Sequence, residues 1–145
     1  MSAIATPALR DSRQNWMRAL CVAGAAAAAA IVWAIEVPLL GIRLSIRFGA
    51  MRPETVVAGQ VVGAAIVAAL LGWLLLAVLE RRLPRSRATW TGAAVAVLIV
   101  SLALPLAAAT TTSAAAGLIA LHLAVGAAVI PGMSIPGRSV GTGRR

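Results

Sequence analysis

Residues 90–130 read WTGAAVAVLIVSLALPLAAATTTSAAAGLIALHLAVGAAVI, two uncharged apolar runs joined by Thr110, Thr111, Thr112 and Ser113. The first, Trp90 to Ala109, has 20 residues and the second, Ala114 to Ile130, has 17. At about 1.5 Å per residue, each can cross or nearly cross a hydrocarbon core of roughly 30 Å. Lipid offers nothing to an unpaired amide, and the runs lack the alternation of a barrel strand, so both are expected to be helices. So short a turn implies antiparallel packing. Counted outward from Thr112, Ser101 lies 11 residues back and His122 10 residues on, which places them at one depth. Pro105 has no N–H for the carbonyl of Ser101 and is expected to bend the helix there. A hydrogen bond from His122 to the Ser101 hydroxyl or its freed carbonyl is therefore expected, with the ring neutral, because an imidazolium at that depth lacks an acid partner. The contact would be either a clasp fixing the register of the two helices or an opening site for a proton or polar ligand.

Around this hairpin, the chain of 145 residues is 61% hydrophobic, with a mean hydropathy of +0.94. That is too apolar for a soluble domain of this size and implies an integral membrane protein. The basic residues number 13, all arginine, against 4 acidic ones, for a formal charge of +9. In a soluble protein such a balance would suggest nucleic acid. Here the arginines are confined to segments between and beside the apolar runs, so orientation in a membrane accounts for them and no nucleic-acid partner is expected. Cys21 is the only cysteine, which excludes an internal disulfide or a multi-cysteine metal site.

Four apolar runs are expected as helices at about 19–35, 55–79, 90–109 and 114–130, forming an all-α, integral membrane four-helix bundle of antiparallel up-down topology. Residues 1–18 read as a cytoplasmic leader and 131–145 as a disordered cytoplasmic tail, since Pro131, Gly132, Pro136 and Gly137 oppose a continuing helix. The alanine-rich first run also resembles a signal peptide, but its length and Trp33 favour a retained span. Both termini are placed in the cytoplasm. The inner segments then hold ten arginines (Arg10, Arg13, Arg18; Arg81, Arg82, Arg85, Arg87; Arg138, Arg144, Arg145) and the outer loop three (Arg43, Arg47, Arg52). Arg81, Arg82, Arg85 and Arg87 mark the inner turn as topology and lipid contacts, with Trp90 at the same interface.

The outer loop, residues 36–54, alternates Ile42, Leu44, Ile46 and Phe48 with Arg43, Ser45 and Arg47, the period of a strand with one face on an apolar surface. Either an extended flap or an irregular interfacial loop fits. Glu36 and Glu54 are expected to pair with its three arginines. In the second run, Gly59 and Gly63 form a GxxxG pair, suited to helix packing within the bundle or to a homodimer seam. Gln60 between them needs an interhelical hydrogen bond or interfacial water.

Leu79-Glu80-Arg81-Arg82 before Trp90-Thr91, then Ser101 to Leu106, Leu121-His122-Leu123 and Val129-Ile130-Pro131 resemble a family of small four-span membrane proteins of actinomycete-type bacteria, of unknown function. The resemblance spans about residues 18–133 and implies a four-helix membrane domain without an assigned activity.

The chemical scan is negative: no Walker loop, HExxH or CxxC occurs, and no buried acid pair is foreseen. Haem would need a second axial ligand beside His122. No cofactor, no metal and no enzymatic activity are expected. The first reading is a non-enzymatic packing or partner-binding module of the bacterial cytoplasmic membrane, its partners the lipid bilayer and a second copy or another membrane protein. The alternative is a small carrier or permeation protein with a polar cavity formed by His122, Ser101, Pro105, Gln60 and Thr110 to Thr112.

Overall fold

A computed structural model of the chain describes residues 7–134, with side chains from Asn15 onward. Its elements are α1 (Pro7–Ala34), a π turn (Ile35–Leu39), β1 (Ser45–Ile46), β2 (Glu54–Thr55), α2 (Ala58–Arg82), α3 (Ser86–Ser101), α4 (Ala103–Ala108) and α5 (Thr112–Ser134). Four stretches are long and apolar enough to cross a membrane: Asn15–Leu39, Ala58–Arg82, Ser86–Ala108 and Thr112–Ser134. Their outer faces carry exposed Leu70, Leu71, Leu74, Val78, Val97, Ile99, Val100 and Leu106. Water would not tolerate that much contiguous apolar surface, whereas hydrocarbon does. The protein is a multi-pass membrane protein.

The helices form a ring in which α1 packs chiefly on α5 and α2, and α3 on α2 and α5. Hydrocarbon gives helices no hydrophobic reason to associate, so close approach through small residues must supply the attraction. Ala25, Ala29, Ala69 and Ala114 are fully buried along these seams. On α5, a methyl group added at Gly132 would stand 2.6 Å from Cys21 Sγ, at Gly126 2.7 Å from Leu98, and at Gly117 2.7 Å from Leu44. Gly126 and Gly132 let α3 and α1 come close to α5, and Gly117 admits the Leu44 and Glu36 side chains. Gly59 and Gly63 have no such neighbour: a methyl group at either would meet nothing within 4 Å, so the GxxxG pair plays no part in packing within the bundle.

Most helix ends overrun their expected bounds, whereas α2 starts late, at Ala58, because Thr55 pairs in β2. Charged and polar residues at the membrane edge continue the backbone pattern because interfacial water and neighbouring side chains satisfy them. Helix α1 begins at Pro7, within the expected leader. Helix α5 passes through Pro131 to Ser134, although proline was expected to stop it. The missing N–H falls in the last turn, where little helix remains to be broken, and Met133 is buried in the core while Ser134 Oγ donates to the Ile130 carbonyl at 2.6 Å. The expected disordered tail, from residue 135 on, lies outside the described residues.

At one end the bundle is tied by charge. Arg18 of α1 donates to Glu80 of α2 at 2.5 Å, and Arg87 of α3 lies 3.8 Å from the same carboxylate. Arg87 also donates to the carbonyl of Ser134 on α5 at 3.3 Å. All four spans meet there. Arg81, Arg82 and Arg85 are exposed beside this cluster.

Arg18 is only 9% exposed, so removing its counter-charge strands a largely buried cation. Loss of one partner of a fully buried pair costs about 3–5 kcal/mol, and the partly open setting brings the expected cost of Glu80→Ala to about 2–3 kcal/mol. Thermal unfolding in detergent should show it, with a smaller loss when Arg18→Leu is combined with Glu80→Leu.

Candidate functional site

The third span breaks where its sequence says it should. Helix α3 ends at Ser101 and α4 starts at Ala103, one turn before Pro105, whose ring removes a helical donor. A cleft of about 770 Å³ lies between α2 on one side and α3, α4 and α5 on the other. Leu71, Leu75, Val97 and Leu104 on its rim are exposed, so it opens sideways between α2 and the broken span.

Trp90 closes the cleft at the charged end. Its indole is 1% exposed and its Nε1 donates to the Gly72 carbonyl at 2.8 Å, so α3 is pinned to the middle of α2. Around Gly72 the Trp90 ring, Val129 and Met133 stand at ordinary van der Waals distance from where a methyl group would lie, 3.7–3.8 Å. Trp90 was expected at the lipid interface. It lies inside because its length lets the ring reach inward from the first turn of α3, where a carbonyl satisfies its donor. The opposite end is flanked by Ile46, Phe48 and Val56 of the α1–α2 connector.

Ser101, Pro105, Gln60 and His122 all line this cleft. The expected bond between His122 and Ser101 does not form: Ser101 Oγ donates to the Leu98 carbonyl at 2.7 Å, and His122 Nδ1 lies 2.7 Å from the Leu118 carbonyl. Each side chain finds an acceptor on the preceding turn of its own helix, which is nearer than any group across the gap. Because a carbonyl only accepts, Nδ1 carries the proton, and Nε2 has no partner among the described residues.

The threonines serve the connector instead. Thr111 Oγ1 accepts from the Ala114 amide at 3.1 Å, an N-cap for α5. Thr110 and Ser45 share a short hydroxyl contact, and Thr112 is exposed at the start of α5. Gln60 donates to Glu54 at 3.3 Å and accepts from the Val57 amide at 3.0 Å, closing the first turn of α2. The expected ion pairs of Glu36 and Glu54 with Arg43, Arg47 and Arg52 are absent among the described residues: the arginines are exposed, and Glu36 is buried. No group of three or more metal-ligating side chains occurs among the described residues.

The expected flap is a minimal antiparallel ladder pairing Ser45 with Thr55 and Ile46 with Glu54, and Ile46 also bridges to Ala109. Leu44 is fully buried by it, while Arg43 and Arg47 face outward.

A model of a family of unknown function, DUF6069, matches residues 10–139. The chain belongs to this family. No match is found among curated proteins or among solved structures. The DUF6069 match takes in all four spans, the cleft and the connector, so the site described above belongs to the family's domain. Sequence reasoning singled out His122, Ser101 and Pro105 but missed Gly117 and Gly126, whose roles depend on what stands opposite them.

Trp90→Phe keeps most of the ring's bulk and removes the donor to Gly72, for an expected loss of about 1 kcal/mol. Trp90→Ala should cost about 3–5 kcal/mol, because it joins the cleft to an empty core site. Denaturant unfolding in mixed micelles measures both.

Proposed function

We propose that this chain is a non-enzymatic module of the bacterial cytoplasmic membrane, an up-down bundle with both termini inside. Its lateral cleft holds an apolar guest bearing one hydroxyl-type donor. The meeting of Arg18, Glu80, Arg87 and Ser134 at one end supports alternating spans, and the ten-to-three arginine count supports the orientation. Reporter fusions after residues near 45, 84, 112 and 140 should read outside, inside, outside and inside. Any other pattern overturns the orientation.

The observation that carries the guest is the cleft itself. Its volume of about 770 Å³ lies within the roughly 300–1,000 Å³ of small-molecule sites. Its walls are almost wholly apolar and its mouth faces the bilayer, which favours an amphiphile from the membrane over a water-soluble solute. With Nδ1 engaged by the Leu118 carbonyl, the His122 ring turns Nε2 toward the guest as the acceptor, so the guest supplies the donor. A polar permeation path finds little support, because Thr110, Thr111 and Thr112 lie at the connector and not in the cleft. A second reading rests on Gly59 and Gly63, whose open surroundings leave a flat strip for another copy or partner helix.

Native mass spectrometry of protein released from its own membranes tests both. The expected result is a retained apolar hydroxyl compound, lost in Ala94→Trp, which fills the cleft. His122→Leu should weaken retention about fivefold to tenfold, the loss of one hydrogen bond. Identical bound molecules in wild type and Ala94→Trp would overturn the guest reading. A dimer mass abolished by Gly63→Leu would support the second.

A further inference from the structure

Glu36 is the one carboxylate in the described spans that has been drawn into the bundle without a partner. It is 6% exposed, and its Oε2 is out of contact with solvent and bonded to nothing among the described residues. It sits in the π turn, which ends α1 around Pro38. Such turns recur at functional sites because the widened backbone re-aims a side chain. Here the carboxyl is directed at α5, where Gly117 makes room for it: a methyl group there would lie 3.1 Å from Oε2 and 3.2 Å from Cδ. Leu44, fully buried, roofs the same spot.

No cation answers it. From α1, the same face presents Trp33, whose Nε1 is likewise buried without a partner. On α5, the nearest titratable group is His122, five residues beyond Gly117, which bonds the Leu118 carbonyl and lines the cleft. In the connector, Arg43, Arg47 and Arg52 are exposed, and at the start of α2 Glu54 and Gln60 bond each other. A carboxylate in that setting carries a heavy desolvation penalty with nothing to offset it, whereas a neutral carboxyl does not. Water is close at hand. A hollow of about 520 Å³ lined by Leu40, Gly41, Ile42, Arg43, Ser45, Thr111 and Ser113 opens on the outer side of the connector, and the Ile42 amide bonds the Glu36 carbonyl at 2.9 Å.

We propose that Glu36 is a reversible proton-binding site, neutral beneath the Leu44 roof and ionised when that roof lifts toward the hollow. The proton comes from and returns to water on that side, so no other reactant is needed. Ionisation and opening are one event. The connector is held by few backbone bonds, among them Val56 to Leu44 at 2.7 Å and Arg47 to Ala108 at 2.8 Å, and these are the bonds that would give way.

Infrared spectroscopy of the full chain in lipid, grown with carbon-13 glutamate, tests this. Near neutral pH a protonated-carboxyl band sensitive to the label is expected. It should vanish in Glu36→Gln, stay in Glu54→Gln and shift in Gly117→Ala, which presses on the carboxyl. At alkaline pH the band should be lost while amide exchange of Val56 and Arg47 quickens, and Glu36→Gln should keep that exchange slow throughout. Absence of the band near neutral pH, its persistence unchanged at alkaline pH, or its indifference to both Glu36→Gln and Gly117→Ala overturns the proposal.

Discussion

Everything in this bundle follows from how closely α5 is approached by its neighbours. A bilayer removes the hydrophobic contribution to helix association, since a leucine is as well solvated by lipid as by another leucine. What remains is dispersion at short range, which falls off within an ångström of optimal contact. Gly117, Gly126 and Gly132 let Leu44, Leu98 and Cys21 approach so closely that an added β-carbon would force those side chains to shift. Alanines on α1 do the same less closely. The small residues that make the first span look featureless are therefore the source of its adhesion.

Where small residues meet large ones across a gap, the same constraint leaves space. Helix α5 packs only sparsely on α2, and the third span is interrupted between α3 and α4 just before Pro105. Trp90 bridges the two walls at one level only. Its hydrogen bond to Gly72 matters more than a comparable bond in a soluble core, because hydrocarbon offers the indole no other acceptor. The cleft is what lies beyond the reach of that one side chain.

The hairpin from Trp90 to Ile130 was legible because a chain seldom stays uncharged over a bilayer's length unless lipid surrounds it. The break at Ser101 was legible because proline chemistry is local. Partnership was not. The GxxxG spacing of Gly59 and Gly63 is a property of one helix, whereas packing depends on what stands opposite, and nothing does. His122 and Ser101 reach one cleft as their depths implied, yet each is satisfied by its own helix, a competition that residue counting does not weigh. Glu36 was placed among exposed loop charges because Pro38 follows it. Only the π turn, which leaves no mark in the sequence, shows that its side chain turns inward.

The two ends of the bundle treat charge in opposite ways, and that asymmetry decides where it can move. At the arginine-rich end, Glu80 receives Arg18 and Arg87, and Arg87 reaches on to the Ser134 carbonyl of α5, so drawing α2 away from α1 would strand a largely buried charge. At the other end Glu36 holds no counter-charge, and the connector that covers it is pinned by a two-residue ladder and a few backbone bonds. Short ladders of this kind are marginal by themselves. Local opening has its lowest free energy where contacts are few and backbone bonds lie near water, which describes the connector and not the bundle below it. Ile46, Phe48 and Val56 belong to that connector and flank the cleft. The residues that cover Glu36 and those that flank the cleft therefore belong to one weakly held segment, whereas the charged contacts lie on the helices themselves.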